Sequence, residues 1–552
     1  MINKLYKIDL PNWENYFGPK ESMPEKVYTL PELTKHPYKI NFTEYTVGKW
    51  AKKNPDKVAI YFYDQKITYL EFYNQIKQLA NGLRSMGVKQ YDRVMIMGHN
   101  RPEWLVSFFA ILEIGAIPVF SNHMVKSDEL KFRFKDSEAV AILCHGSCLE
   151  EVEKAETDIT KIVWCGNHEP GTICWEDLVD SNSTECEPAD TCLDSLLRII
   201  YSSGTTGNPK GGATTILDNI CVTETHGGKI LKLSENDIVG GHPFFSFAFG
   251  VACFVVFPWY FGCSVSISER FEPEQMFETV KKHGITVLFC VPTAFNIMLD
   301  SPNDHTDDLK NVRLYQSAGE PLMARTCKGW KEKYGRYILD SMGSGDNCYW
   351  LSAYEGMPEN KIGSSGQTIP GIENIIVDEN MNEVPRGVPG ELIVRGPSGH
   401  QFWKRPDKQE SGVYEGWSRP GIYATLDEDG YFWYHSRTDD IIVTAGYKIP
   451  CFEVEEAVNN VEGVIESACV PSPDSTRGTV IKAFVVLKDG YEPSEEMKLK
   501  IKEQVKSQLE NYKYPRKIEF IAKEDMPRTM TDKILRSKLR EREEAQAQAS
   551  NL

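Results

Sequence analysis

Tyr201-Ser-Ser-Gly-Thr-Thr-Gly-Asn-Pro-Lys-Gly211 is the stretch on which the reading of this chain turns. Ser202, Ser203, Thr205 and Thr206 carry hydroxyls that can donate hydrogen bonds. Gly204 and Gly207 have no Cβ, so backbone N–H groups there can come close to phosphate oxygens. Lys210 adds a point charge. Hydroxyls, glycines and one lysine in this order suit a polyphosphate, and ATP chemistry is the first expectation. The spacing is not that of a Walker loop, which needs Gly-x-x-x-x-Gly-Lys-Ser/Thr opening a helix. Here the lysine follows Pro209, whose ring stiffens the turn.

On the N-terminal side of the loop the pattern alternates between strand and helix. Thr68-x-x-Glu71 forms a capping box, and Phe72, Tyr73, Ile76, Leu79, Leu83 and Met86 keep helical spacing until Gly87 ends it. A short strand is predicted at Val94–Met97, a helix at Trp104–Leu112, and apolar strands at Ala116–Phe120 and Val140–Cys144. That alternation favours an α/β fold with a parallel sheet covered on both faces. No charged residue occurs from Phe244 to Ile267, a length that could cross a membrane. Gly250, Pro258 and Gly262 interrupt it, so two buried aromatic-rich pieces are expected and stable membrane insertion is not. The C-terminus from Arg540 to Leu552 reads as disordered or as a frayed helix end.

Composition narrows the function classes. A net charge of −17 over 552 residues argues against a nucleic-acid partner, which would need excess Lys and Arg. The fourteen cysteines are scattered; Cys144 and Cys148 are the closest pair and have no second pair to match. Neither a zinc site nor a disulfide framework follows, and reduced, mostly buried thiols in a cytoplasmic protein are expected. The opening Met-Ile-Asn-Lys leads into polar sequence with no export signal. Glu453-Val-Glu-Glu456 reads as the solvated face of an amphipathic helix. His226, His242 and His305 have no metal-like spacing and are expected to be core or surface histidines.

Taken together, the motifs resemble those of the adenylate-forming superfamily, which includes acyl- and aryl-CoA ligases, peptide-synthetase adenylation domains and luciferases. Ser317-Ala-Gly-Glu-Pro-Leu322 is similar to the family's adenine-binding turn, which implicates Ser317, Ala318, Gly319, Glu320 and Pro321. Asp340-Ser-Met-Gly-Ser-Gly-Asp346 resembles the aromatic-Gly-x-Thr-Glu segment, with Met342 over adenine, Gly343 and Ser344 beside it, and Asp346 at the magnesium-binding acid. Thr205 is the second expected metal contact. Ser436-Arg-Thr-Asp-Asp-Ile-Ile442 is similar to the crossover between domains, where Arg437 contacts ribose and phosphate and Asp439 is the hinge. Gly446 matches the glycine lining the pantetheine tunnel. Tyr512-Lys-Tyr-Pro-Arg516 and Pro527-Arg-Thr-Met-Thr-Asp-Lys533 match the last two family motifs, with Lys533 as the adenylation lysine.

The resemblance implies an AMP-forming acyl-CoA synthetase using ATP, Mg2+ and coenzyme A. A large multi-subdomain α/β portion, 1–438, would bind AMP and acid, and a small mobile α+β domain, 439–552, would bring the lysine. Ser246, Phe249 and Gly250, with Ser317 and Ser344, are the expected pocket residues for a small-molecule carboxylic acid. The Phe-Ser-Phe-Ala-Phe-Gly run looks closest to benzoate and 2-aminobenzoate CoA ligases, favouring an aryl or a short or branched acid. A homodimer is compatible with this reading. Lysine also fits the chemistry: a carboxylate and an α-phosphate repel, and a cation between them screens the repulsion. Lys533, Lys210 and Arg437 are therefore the expected catalytic cations.

Four positions depart from the family pattern. Pro420-Gly421-Ile422 stands where Thr-Gly-Asp is usual, so the ribose acceptor is missing, a loss of about 2–4 kcal/mol in nucleotide binding if nothing replaces it. Asp427 and Asp429 are the nearby carboxylates that could substitute. Gly345 replaces a threonine, Asp346 a glutamate, and Asp532 the glycine before the catalytic lysine. Two other functions therefore stay open: transfer of the adenylate to a carrier protein or an amine, and a catalytically impaired nucleotide-binding or regulatory protein.

Overall fold

The computed structural model describes residues 2–4, 8–166, 169–202, 209–344, 348–444, 447–474, 478–529 and 533–550. Two compact units emerge, one built from Met1–Ser202, Pro209–Asn374 and Ile393–Arg419, the other including Ile375–Leu392 and Pro420–Leu552.

Two large sheets organise the first unit. In the eight-stranded sheet, strand Arg93–Gly98 lies between Ile117–Asn122 and Ala139–His145, both parallel to it. Thr160–Trp164 extends one side in parallel, and Leu196–Ser202 extends the other. After Arg93–Gly98 the chain first adds a strand on one side and then on the other, which makes a topological switch point at the carboxyl end of that strand, where open α/β sheets place ligands. The nine-stranded sheet has the same logic, with Ile238–Gly241 between Ser264–Ile267 and Val287–Phe289, all parallel. Leu314–Ala318 and Ile338–Ser344 continue it in parallel before Cys348–Ser352 turns back antiparallel.

The expected helix begins where its capping box requires. The Glu71 N–H donates to Thr68 Oγ1 at 3.2 Å and the Thr68 N–H to Glu71 Oε2 at 2.7 Å, so two donors of the first turn of Tyr69–Ser85 are satisfied. Phe72, Ile76, Leu79 and Leu83 form its buried stripe, packed on helix Pro102–Glu113. The uncharged stretch after Phe244 divides into a helical run from Ala248 to Phe261 and strand Ser264–Ile267. Between them Gly262 adopts φ +75°, and a Cβ there would lie 2.4 Å from the Trp50 ring. No helix among the described residues is long and apolar enough to cross a membrane. Among the thirteen cysteines whose side chains are described none is in a disulfide and eleven are buried, leaving Cys165 exposed and Cys174 half-exposed.

The second unit is α+β. Strands Val464–Asp474, Gly478–Leu487 and Lys517–Phe520 form its sheet, and helices Cys451–Asn459 and Glu495–Gln508 pack through Val454, Val458, Ile501 and Val505. Up to Ser550 the C-terminal segment is helical rather than disordered: helix Arg536–Ser550 is held at its start by buried Leu539 and by Glu543, which accepts from Lys482 Nζ at 2.5 Å and Ser472 Oγ at 2.6 Å. The expectation of a solvated face for Glu453–Glu456 fails at Glu455. That carboxylate is buried, taking the Cys469 N–H at 2.7 Å and the Arg536 guanidinium at 2.8 and 2.5 Å. A buried carboxylate needs this pairing, and its partner is remote in sequence.

One buried carboxyl has no such partner. Glu113 closes helix Pro102–Glu113, its two oxygens are unpaired among the described residues, and burial, reinforced by the Glu44 charge, pushes its pKa up to about 7. A carboxyl raised in the folded state contributes stability that is fully present below its ordinary pKa of 4.5 and is lost as pH climbs through about 7. In denaturant unfolding, Glu113→Gln, which does not titrate, is expected to gain about 3 kcal/mol on the parent between acidic and alkaline pH. A difference independent of pH would refute the assignment.

Candidate active site

The phosphate-loop motif sits on a hairpin. Leu196–Ser202 pairs antiparallel with Lys210–Thr215, setting Tyr201 opposite Gly211 and Ser202 opposite Lys210. The ladder thus brings together the two ends of the loop. Ser203, Gly204, Thr205, Thr206 and Gly207 lie outside the described residues, as do Asp346 and Gly446. Lys210 Nζ stands 4.9 Å from the Phe402 ring centroid. Gly211 faces Trp403, and a Cβ there would come 3.2 Å from the Trp403 Cβ. Beyond the hairpin, Thr215 and Asp218 cap the next helix reciprocally. Asp218 also accepts from Lys26 Nζ at 2.7 Å and Gln401 Nε2 at 2.8 Å, all of it buried. Among the described residues no group of His, Cys, Asp and Glu could hold a metal ion.

At the carboxyl ends of the second sheet the structure gathers several of the expected residues. Ser317 pairs with Asp340 and Ala318 with Ser341 along parallel strands. Gly319 follows at φ +92°, a conformation suited to glycine, and Glu320 accepts from Thr293 Oγ1 at 2.9 Å ahead of Pro321. Met342 and Ser344 are half-buried and Gly343 is exposed. The hydroxyls of Ser317 and Ser344, Gln316 Oε1 and Asp340 Oδ1 are all buried without a hydrogen-bond partner among the described residues. His226 contributes to the same strand ends. Its ring stacks on Tyr349 at 4.4 Å, and Nε2 lies 3.2 Å from Ser341 Oγ and 3.3 Å from Ser352 Oγ, while Nδ1 is unpartnered. Burial pushes His226 down to about 3, so the ring is neutral. Strands 314–318 and 338–344 therefore end in desolvated polar atoms whose hydrogen-bonding capacity exceeds their internal partners.

Segment 242–250 completes this side. Gly241 has φ +136°, and a Cβ there would stand 1.8 Å from the Phe289 oxygen; at Gly250 it would stand 2.0 Å from the Phe244 oxygen. Both glycines are required by backbone passing over backbone. Phe249 is buried edge-on to Phe289, Phe254 is core as expected, and Phe244 is half-buried against His123 and His242. Ser246 is buried and accepts from Asn122 Nδ2 at 3.1 Å. Sequence reasoning missed Asn122 and Asn100, and also the neighbouring His99, His123 and His145. His99 lies 3.9 Å from His123 and 5.3 Å from His145 between ring centroids, and burial together with the adjoining imidazoles holds His123 down to about 4. Three histidines spaced more than twenty residues apart give no local signal, but each directly follows or closes an observed strand.

The remaining expected residues belong to the second unit. Arg437 ends strand Phe432–Arg437, exposed, and its Cα partner across the ladder is Ile422. Asp427, one of the two suggested substitutes, is already engaged. Its carboxylate accepts from the Asp429 N–H at 3.0 Å, the Tyr431 N–H at 2.9 Å and Trp433 Nε1 at 2.9 Å, which commits it to its own turn. Asp439 lies in the short turn Thr438–Asp440, where its carbonyl accepts from Arg540 at 3.2 Å and Asp440 pairs with the same guanidinium at 2.7 Å. Lys533 is exposed; its carbonyl accepts the Thr529 N–H at 2.7 Å, and Arg528 and Ile534 form a bridge. Met526 and Ile534 pack in the apolar cluster.

This arrangement matches known proteins over nearly its full length. The family model described as AMP-binding enzyme covers residues 47–401, and that of the AMP-binding enzyme C-terminal domain covers 453–533. The acetyl-coenzyme A synthetase of Bacillus subtilis (strain 168) is 31% identical over 522 residues, spanning 91% of this chain and 90% of that protein. The benzoate–CoA ligase of Thauera aromatica is 30% identical over 520 residues, with 92% and 97% covered. Among solved structures, the anthranilate CoA ligase AuaEII in complex with anthranoyl-AMP superposes with a TM-score of 0.87 at 28% identity, over 93% of this chain and 99% of that one. The chain belongs to the AMP-binding enzyme family. It is an acyl-CoA ligase, working with ATP and coenzyme A.

Ile422→Asp restores the usual family residue directly across from Arg437. It is expected to lower the KM for ATP about tenfold, measured in steady-state kinetics, while leaving the KM for the acid unchanged. An unchanged ATP KM would mean that residue 422 does not face ribose.

Proposed function

We propose that this ligase activates an aryl acid, or a short or branched acid of similar bulk, first as an acyl-adenylate and then as a CoA thioester. The observation that carries the acid class is the set of unpartnered buried polar atoms on Ser317, Ser344 and His226, in a setting of flat aromatic surfaces from Tyr349 and, along segment 242–250, Phe249. A flat acid fills aromatic space and leaves its polar groups to meet those atoms. The names of the benzoate and anthranilate ligases agree with that choice.

In the first step a carboxylate oxygen of the acid forms a bond to the α-phosphorus of ATP and pyrophosphate departs. In the second, the thiol of coenzyme A loses its proton, sulfur bonds to the acyl carbon and AMP leaves. Lys533 screens the two anions in the first step, with Lys210 and Arg437 on the phosphates. Ser202, Ser203, Gly204, Thr205, Thr206 and Gly207 cradle the phosphates. Ala318, Gly319, Glu320 and Pro321 meet the adenine edge, and Met342 and Gly343 cover its face. Asp346 and Thr205 would hold magnesium, which would supply positive charge to the departing pyrophosphate. Rotation about Asp439 withdraws Lys533 and admits the thiol past Gly446. Unpaired thiols fit a reducing compartment, and we place the enzyme in the cytoplasm.

A second reading is favoured by one observation. Ile422 removes the ribose acceptor and the Asp427 carboxylate is committed elsewhere, which fits a nucleotide-binding protein with impaired adenylation. Acid-dependent ATP–pyrophosphate exchange separates the two. Exchange is expected with an aryl or branched acid and is expected to vanish in Lys533→Ala, which should still form thioester from a supplied acyl-adenylate. Loss of both half-reactions would overturn the division of labour, and absence of exchange in the unaltered chain would favour the second reading.

A further inference from the structure

Two asparagines at the carboxyl ends of the first sheet reach across to segment 242–250 of the second. Asn100, just past strand Arg93–Gly98, donates from Nδ2 to the Pro243 carbonyl at 3.0 Å and accepts the Phe245 N–H on Oδ1 at 2.9 Å. Asn122, at the end of strand Ile117–Asn122, donates from Nδ2 to Ser246 Oγ at 3.1 Å and accepts the Met124 N–H on Oδ1 at 3.0 Å. Both asparagines and Ser246 are almost fully buried. Each amide is oriented unambiguously, because a backbone N–H can only meet the oxygen, which leaves the NH2 group for the other contact. Between the asparagines, the His99 and His123 rings meet at 3.9 Å between centroids, tilted by 34°, and tie the two strand ends together.

The consequence concerns the polarity of Ser246. A hydroxyl is both donor and acceptor, and a neighbour usually leaves its role open. Asn122 takes one lone pair by donating to it, so the Ser246 proton is turned away from Asn122. The Ser246 proton is thereby left for a partner other than Asn122. We propose that Asn122 is a positioning residue for the acid site: it makes Ser246 a hydrogen-bond donor to the acid, so that the site selects acids presenting an acceptor there. That acceptor is either an oxygen of the reacting carboxylate or an acceptor substituent elsewhere on the acid. This inference rests on segment 242–250 lining the acid site, as proposed above.

Asn122→Asp inverts the relay without removing its frame. Aspartate still accepts the Met124 N–H, but it can only accept from Ser246, which turns the serine into an acceptor toward the acid. Steady-state kinetics with the full-length chain, benzoate and a set of benzoates carrying acceptor substituents provide the test, with Ser246→Ala, Asn122→Ala and the double variant Asn122→Ala/Ser246→Ala alongside. The KM for the preferred acid is expected to rise about tenfold in Asn122→Asp while the KM for ATP stays put. The effects of Asn122→Ala and Ser246→Ala are expected to be non-additive, because both break one relay. A rise shared by benzoate and every substituted acid identifies the carboxylate as the acceptor, and a rise confined to the substituted acids identifies the substituent. Unchanged acid KM values in Asn122→Asp, equal rises for acid and ATP, or additive effects would overturn the proposal. Thermal melting guards against a folding artefact: loss of the fold in both Asn122 variants would overturn it in favour of a purely structural role. An unaltered chain with no activity on any acid would sink the ligase reading and this inference together, whereas an active chain without coupling sinks this inference alone.

Discussion

A single buried ion pair registers the parts of the first unit on one another. Lys26 and Asp218 meet at 2.7 Å with almost no exposure, and charges removed from water are tolerable only when paired and hydrogen-bonded. Asp218 meets this demand with the Gln401 amide and the Thr215 N–H as well as Lys26. The consequences run in three directions. Lys26 belongs to an N-terminal strand that bridges to Gly396, Asp218 caps the helix following the phosphate hairpin, and Gln401 accepts the Ala213 N–H from within that hairpin. The hairpin of Leu196–Ser202 and Lys210–Thr215 is thus positioned by contacts from both ends of the unit.

The remaining geometry follows from where parallel sheets place their functional ends. Every strand of a parallel array delivers its next loop at the same edge, and both large sheets here have parallel centres. One sheet contributes Asn100, Asn122 and the three histidines there. The other contributes Ser317, Asp340, Ser344 and segment 242–250. The glycines at 241 and 250 make the segment compact enough to lie between them, since a side chain at either position would displace a backbone carbonyl.

Much of this was legible in the sequence, and the failures share a cause. The capping box at Thr68, the helix to Ser85 and the strands around Val94, Val119 and Ile142 follow from local periodicity, which the chain carries within a few neighbouring residues. The motif order gave the family because those motifs are contiguous. What escaped were pairings over long separations. Glu455 looked solvated because Arg536 lies 81 residues on, and Asn122 looked like any strand-end residue because Ser246 lies 124 residues away. The three histidines are likewise invisible until neighbouring strands align them. Asp427, a carboxylate near the gap in sequence, is likewise engaged by the turn it initiates, which its neighbours in sequence do not announce.

That turn also limits the evolutionary paths open to the nucleotide site. With Asp427 engaged by its own backbone and by Trp433, residue 422 is the position directly across the ladder from Arg437 at which an acceptor can return. In the genetic code isoleucine reaches aspartate by single-base steps through valine or asparagine, and asparagine already carries an amide oxygen that can accept from a hydroxyl. The route back is short and passes through a partly competent intermediate. A carboxylate acceptor across the ladder from Arg437 thus lies two single-base changes away from the present isoleucine.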